Sequence, residues 1–358
     1  MSLEQQIDVK IGEVRTESLD LSFGEIANLR KSKELIIQPE YQRLFRWSVD
    51  QKSRLIESIL IELPIPQIFV IENADGVYEL IDGLQRISSV IQYVDAAAID
   101  LESFALDGCD IIQDLNGKAY VDLPMSLKLR LKRSTLRTIV IKRQSKSFLR
   151  YEMFKRLNTG GSLLSPQEIR NCSARMLGEE GTKFYAFLKG LADTQDFKDT
   201  TQTLAQEDFE KKGNEELVLR FFAAKNARNV FKGSVRDWLD DYMEAVLLKK
   251  TEFNLVEEGK VFKELFAEVA SRLGESAFVK FRGKNPIGGL APAYFEAVAV
   301  GCLVAFTEFK AKPAAEVRDA LMSLVQSPPF REVTGPGANT STKLESRIQL
   351  AADAIKAA

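Results

Sequence analysis

Apolar and polar positions follow two different periods along this chain, and the place where the period changes divides it. Ser48-Val49-Asp50-Gln51 has capping-box spacing and leads a helix whose apolar face is Leu55, Ile56, Ile59 and Leu60. Leu63-Pro64-Ile65-Pro66 stops that helix. Gln67 to Ile71 is an apolar, β-rich run, Asn73 to Gly76 reads as a hairpin turn, and Val77 to Ile81 is the returning strand. That strand runs through Asp82-Gly83 straight into a helix with Leu84, Ile87, Val90, Ile91 and Val94 on one side. An earlier box, Ser22-Phe23-Gly24-Glu25, opens a short helix through Leu29. Asp100 to Tyr120 reads as a small β insertion with turns at Asp107-Gly108 and Asn116-Gly117, and Leu136 to Ile141 as a further strand. Phe148 to Leu157 is helical in pattern and ends at Asn158-Thr159-Gly160-Gly161, where the glycines suit a C-terminal cap.

Ser165-Pro166-Gln167-Glu168 is the strongest helix start, with Pro at the first helical position. From there the period is helical, most clearly over Glu215 to Ala224, Val235 to Leu248, Gly259 to Leu273, Leu290 to Phe306 and Ala314 to Val325. Ser327 to Thr342, rich in Pro, Gly, Ser and Thr, reads as a loop. The pattern predicts an α+β chain: an α/β domain over residues 1–175, then an α-helical domain over residues 176–358.

Composition narrows the chemistry. The chain has no histidine, which excludes a His-Asn-His nuclease, a Ser-His-Asp or Cys-His hydrolase, a His-Glu-x-x-His metalloprotease and every His-ligated zinc site. Catalysis must then use carboxylates, Lys, Arg, Tyr, Ser, Thr or a metal held by oxygen. The Gly-Lys pairs at Gly117-Lys118, Gly259-Lys260 and Gly283-Lys284 all lack the context of a phosphate-binding P-loop. Cys109, Cys172 and Cys302 are odd in number and far apart, which suits small core residues better than disulfides or a thiolate zinc site. No apolar run reaches the roughly 18–20 residues that span a bilayer, and Met1 to Lys10 has no apolar secretory core, so a cytoplasmic protein without membrane partners is expected.

Charge is unevenly spread. No acid lies between Asp122 and Glu152, whereas Lys128, Arg130, Lys132, Arg133, Arg137, Lys142, Arg143, Lys146 and Arg150 do. A cluster of this kind can meet phosphate; the solvated faces of a helix and a strand account for it equally well.

Three short clusters carry the remaining chemistry. Asp82-Gly83-Leu84-Gln85-Arg86 sets a helix N-terminus at the end of a strand, where unpaired N–H groups and the helix dipole favour an anion. Gly83 permits close approach to the main chain, and Arg86 can hold phosphate with two parallel bonds. Asp82 can cap the helix, hold magnesium or orient a water, or simply pair with Arg86 in a capped helix. Pro39-Glu40-Tyr41-Gln42-Arg43-Leu44-Phe45-Arg46-Trp47 interleaves Arg43 and Arg46 with aromatics, as stacking on a base and clamping phosphates require, or as a loop anchored by aromatics would look. Phe154-Lys155-Arg156-Leu157-Asn158-Thr159-Gly160-Gly161 offers Asn158 and Thr159 as ligands to phosphate or a metal-bound water, or as helix caps, with Glu168, Arg170 and Asn171 following as supporting residues.

Taken in order, these clusters resemble the N-terminal, ParB-like domain of the GmrSD restriction endonucleases, the group marked by an Asp-Gly-Gln-Gln-Arg motif. The resemblance covers residues 20–175 and includes the Tyr-Gln-Arg segment with its Trp-Ser, the Leu-Pro-Ile-Pro turn, Ile-Asp-Gly-Leu-Gln-Arg, and Phe-Lys-Arg-Leu-Asn-Thr-Gly-Gly with Leu-Ser-Pro-Gln-Glu-Ile-Arg after it. Glu215 to Phe221 is similar to the start of that family's helical extension. The resemblance implies a ParB/sulfiredoxin-like fold whose motif site binds and hydrolyses nucleoside triphosphate with Mg2+, GTP being favoured, in an antiphage system acting on modified foreign DNA. Its nucleotide site would comprise Gln42, Arg43, Arg46, Asp82, Gly83, Gln85, Arg86, Asn158 and Thr159, with Asp82, Gln85 and Arg86 catalytic and Asp82 on the metal. Leu84 stands where the motif has its first Gln, which bears on nucleotide preference and turnover, and a His-Asn-His nuclease is absent from this histidine-free sequence.

The expected function is therefore an NTP-hydrolysing regulator of a separately encoded nuclease, with DNA as a further partner and homo-oligomerisation left open. A free-standing carboxylate–metal nuclease would draw on Glu210-Lys211-Lys212, Glu258-Gly259-Lys260 or Glu308-Phe309-Lys310. A non-catalytic DNA-binding scaffold would use the Lys128 to Arg150 window and bind DNA in a salt-sensitive way.

Overall fold

Each of the three capping signals is formed in the computed structural model, which describes residues 2–5, 7, 15–37, 47–73, 75–143, 145, 153, 165–175 and 177–358. The chain divides into two units, Met1–Ser162 and Leu163–Ala358.

In the first unit, strand β1 (Thr16–Ser22) leads into helix α1 (Phe23–Lys31), where the Ser22 hydroxyl accepts from the Glu25 N–H. A two-residue strand β2 (Leu35–Ile36) follows. Helix α2 (Val49–Leu60) starts with a reciprocal box between Ser48 and Gln51 and buries Leu55, Ile56, Ile59 and Leu60, the apolar stripe of the sequence. Strands β3 (Ile68–Glu72) and β4 (Tyr78–Asp82) form the hairpin, closed by bonds from Asn73 N–H to Val77 O and from Gly76 N–H to Asn73 O. Then come α3 (Leu84–Asp95), α4 (Met125–Arg133) and β5 (Thr135–Ile141).

The strands make one mixed sheet in the order β1-β5-β3-β4-β2. β1 runs antiparallel to β5 and β4 antiparallel to β3, while β5–β3 and β4–β2 are parallel. Central strands buried on both faces read as apolar runs, and Ile68, Val70, Ile71, Leu80, Ile81, Val140 and Ile141 are all buried.

The expected β insertion at Asp100 to Tyr120 is absent: residues 101–120 form no strand. Its turns exist, with Gly108 and Gly117 both at φ +81°, but side chains satisfy much of its backbone. The Glu57 carboxylate accepts from the N–H groups of Ile111 and Ile112 at 3.1 and 2.6 Å. The Asn116 amide bonds the N–H and C=O of Cys109 at 2.8 and 3.0 Å. A segment whose donors go to side chains has less need of a ladder.

The second unit is helical: α5 (Pro166–Arg175), α6 (Glu179–Ala192), α7 (Gln195–Thr201), α8 (Gln206–Glu210), α9 (Gly213–Asn226), α10 (Val235–Leu247) and α11 (Leu255–Leu273). A hairpin of β6 (Lys280–Arg282) and β7 (Asn285–Ile287) precedes α12 (Pro292–Val304), α13 (Phe306–Ala311), α14 (Ala314–Gln326), α15 (Pro328–Thr334) and α16 (Ser341–Ala357). The expected loop from Ser327 thus contains a helix: Ser327 caps it, Pro328 takes the first position, and Phe330 is fully buried. Helix α5, which the sequence pattern placed at the end of the first domain, lies in this unit.

Phenylalanines fill the core of the helical unit, with Phe262–Phe266 centroids 4.3 Å apart and Phe197–Phe266 and Phe278–Phe295 pairs edge-on at 4.9 Å. Through this apolar core runs an alternating chain of charges. Arg170 bonds Asp240 at 2.7 Å and Glu216 at 3.0 Å; Arg220 bonds Glu216 at 3.0 Å and Glu296 at 2.7 Å; Glu296 in turn holds Arg347. Burial alone would raise the Glu216 carboxyl, but Arg220 and Arg170 outweigh it and hold it below the usual range. Beside this chain, Asn171 donates to the buried Glu215.

Candidate functional site

The last two residues of β4 set up the candidate site. β3 and β4 pair Val70 with Leu80 and Phe69 with Asp82, so Ile81 is an extra residue on β4. A bulge of this kind re-aims the side chain beside it, here Asp82. Gly83 follows at φ +101° and ψ 12°, a left-handed conformation that glycine adopts freely. A Cβ there would lie 2.2 Å from Ile68 Cγ2. The glycine is therefore required by the neighbouring strand β3 as well as by the turn.

Helix α3 begins at Leu84, and Ile87 N–H bonds Gly83 O at 3.0 Å. No side chain caps this N-terminus, so Asp82 does not serve as the cap. The N–H groups of the first turn keep the positive end of the helix dipole available to an anion.

Asp82 instead holds Arg86, Oδ2 to Nη2 at 2.8 Å, and the same Nη2 donates to Gln67 O at 3.0 Å. The buried Nε of Arg86 has no hydrogen-bond partner among the described residues. A cation in the first turn thus has its expected neighbouring acid, and a donor to spare. Gln85 turns the other way: its Oε1 accepts from the N–H of Trp47 at 3.2 Å. That bond places Trp47, the residue that ends the Tyr-Gln-Arg segment, beside the first turn of α3. Sequence reasoning named neither Gln67 O nor Trp47 N–H, because main-chain groups carry no residue signature.

Gln42, Arg43, Arg46, Asn158 and Thr159 lie outside the described residues, as does the expected helix from Phe148 to Leu157 apart from Met153. Of the residues expected to support them, Glu168 completes a capping box with Ser165, Arg170 belongs to the buried charge chain, and Asn171 holds Glu215.

Part of the cationic window is paired within the first unit. Arg137 pairs with Asp20 at 3.2 Å, and Lys142 bridges Glu17 and Glu72 at 2.9 and 3.1 Å. Arg130 donates to Leu60 O and lies 3.9 Å from Glu62; Lys128 donates to Val121 O. Lys146 and Arg150 lie outside the described residues. The Glu-x-Lys triplets fall on separate segments: Glu210 ends α8, Glu258 sits on α11 against Lys225, and Glu308 lies on α13. Among the described residues, no group of three or more His, Cys, Asp or Glu side chains could hold a metal ion.

Comparison with known families now decides the class of the first domain. Residues 23–174 match the family described as GmrSD restriction endonuclease, N-terminal domain. The chain carries a GmrSD-type N-terminal domain. The match spans the strand–turn–helix at Asp82 and runs on through α5, in agreement with the resemblance read from the ordered motifs. It makes the chain a component of a restriction or antiphage system. No curated protein matches the chain. Among the described residues no helix is long and apolar enough to cross a membrane.

Proposed function

We propose that this GmrSD-type chain is a ParB-like, nucleoside-triphosphate-hydrolysing subunit that governs a separately encoded nuclease acting on foreign or modified DNA. One observation carries the reading: the 3.2 Å bond from Trp47 N–H to Gln85 Oε1, which joins the end of the Tyr-Gln-Arg segment to the uncapped start of α3. Trp47 and the Asp82–Arg86 motif, far apart in sequence, meet at a helix N-terminus, where oxyanions are favoured.

The donors present fit a triphosphate. The Nε of Arg86, without a partner among the described residues, and the first-turn N–H groups are donors suited to an anionic acceptor. Arg43 would clamp the phosphates with Arg86, Gln42 and Arg46 would border the base and sugar, and Asn158 and Thr159 would complete the shell. Asp82 fits magnesium as a single carboxylate, the usual arrangement when phosphate oxygens and waters supply the remaining ligands. A magnesium ion held by Asp82 would supply charge neutralisation to the phosphates. Gln85 would hold the Trp47 segment or orient a water, and Arg86 would donate to the phosphates. GTP is the favoured nucleotide.

The test is triphosphate hydrolysis with magnesium by the purified chain, with and without DNA, over GTP, ATP, CTP and UTP. Asp82→Ala and Arg86→Ala, each checked for folding, should lose about 100-fold or more in kcat, the scale of one oxyanion-stabilising donor. Arg86→Lys should not restore it, because an ammonium cannot reproduce the planar fork. Neither turnover nor nucleotide binding in the wild-type chain overturns the proposal.

A further inference from the structure

Two segments of the chain concentrate positive charge, and in only one of them is much of it tied to neighbouring groups. In the window after Asp122, Arg137 and Lys142 are paired with acids of neighbouring strands, and Arg130 and Lys128 are tied to carbonyls. In the β6–β7 hairpin of the helical unit, Lys280, Arg282 and Lys284 are all exposed. No acid occurs between Glu275 and Glu296, and none of the three cations forms an ion pair among the described residues.

The hairpin is built to hold these charges in place. Gly283 and Lys284 form a two-residue turn, with φ +60° at Gly283, the first loop position, as a type II′ turn requires. Cross-strand pairs are Arg282 with Asn285, Phe281 with Pro286 and Lys280 with Ile287. The strand period of two therefore puts Lys280 and Arg282 on one face and Phe281 on the other. Phe281 packs against the apolar cluster of Tyr294, Ala297, Val325 and Phe330. Gln326, at the end of α14, clamps the tip: its Oε1 accepts from Gly283 N–H at 2.8 Å and its Nε2 donates to Gly283 O at 3.0 Å. Two acids, Glu275 and Asp319, line the cleft beside the hairpin together with Arg318 and Lys284.

We propose that the β6–β7 hairpin is a DNA-backbone contact, a two-stranded ribbon whose Lys280, Arg282 and Lys284 meet phosphates along a duplex groove. Charge complementarity selects a polyanion, and membership of a restriction system makes that polyanion DNA. The major groove of B-form DNA admits a two-stranded ribbon, whereas the deep, narrow major groove of duplex RNA does not. The inference rests on the first domain being a restriction-system component and is independent of the nucleotide reading.

The experiment is fluorescence anisotropy of a labelled DNA duplex with the full-length chain over a salt series, without nucleotide. The variant Lys280→Ala/Arg282→Ala/Lys284→Ala is compared with Lys128→Ala/Lys132→Ala/Arg133→Ala, which removes equal charge from the first unit. Each lost phosphate contact lowers the slope of log affinity against log salt by about 0.9. The hairpin variant should therefore lose up to about 2.7 of that slope, with its melting midpoint unchanged, and the comparison variant should lose little. An unchanged slope in the hairpin variant, a larger loss in the comparison variant, tighter binding to duplex RNA, or no DNA binding by the wild-type chain at low salt each overturns the proposal. Hairpin-dependent DNA binding by a chain that hydrolyses no triphosphate supports it while sinking the nucleotide reading.

Discussion

Glu296 sits between two guanidinium groups in the core of the helical unit, and replacing it by Gln removes the shared charge while keeping the shape. Its carboxylate bonds Arg220 at 2.7 Å through Oε1 and Arg347 through Oε2, and Glu296 and Arg347 are each only 1% exposed. Arg220 would keep Glu216, but Arg347 would retain only the carbonyls of Val333 and Ala338, at 3.3 and 3.1 Å. Breaking a buried pair from one side costs about 3–5 kcal/mol, because the surviving charge stays desolvated. In a unit of this size each kcal/mol moves the melting midpoint by about 2–4 °C, so Glu296→Gln should lower it by about 6–20 °C. Removing the terminal pair together, as Glu296→Leu/Arg347→Met, leaves two acids and two bases (Asp240, Arg170, Glu216 and Arg220) still alternating, and should recover more than half of the loss. Scanning calorimetry reads both variants directly. A Glu296→Gln midpoint within about 2 °C of wild type, or a double variant less stable than the single one, would refute the argument that the charges are held as a balanced chain.

Two further outcomes follow from the first unit. Gly83→Ala combines a left-handed backbone with a Cβ 2.2 Å from Ile68 Cγ2, and should destabilise that unit by about 2 kcal/mol or more in urea unfolding; stability equal to wild type would contradict the tight turn. The bond from Lys142 holds the Glu72 carboxyl below its ordinary value of 4.5, so the stability it confers is complete above about pH 4.5 and is lost as pH falls through the lower folded value. The stability gap between wild type and Lys142→Met should therefore be constant near neutrality and shrink on acidification below about pH 4.5, as urea midpoints across pH will show.

What could be read from the sequence was what is decided locally. Ser48 and Gln51 satisfy each other within one turn, so the start of α2 was legible, as were the Asp82–Gly83 junction and an acid for Arg86 four residues away. Strand β1 was missed, since it pairs with β5, across more than a hundred residues of chain, and none of its residues is buried. The expected β insertion failed because its donors go to Glu57, a side chain on α2 that no local pattern connects to Ile111 and Ile112. The acids that meet Arg137 and Lys142 were hidden for a related reason: the window has no acid in sequence, yet Glu17, Asp20 and Glu72 reach it across the sheet. Within the candidate site the side chains at Asp82 and Arg86 were foreseen, whereas the contributions of Gln67 O and Trp47 N–H depend on tertiary geometry.

The buried charges bear on where this chain can be cut. The family match ends at residue 174, but Arg170 and Asn171, just inside that limit, find their partners at Glu215, Glu216 and Asp240, well beyond it. A fragment trimmed to the match would end in a helix carrying a guanidinium and an amide shaped for acids it no longer has, whereas one ending at Ser162 would leave that helix with the unit that holds it. A chimera that joins the first unit to another helical domain should therefore be cut ahead of α5, so that Arg170 travels with Glu216 and Asp240.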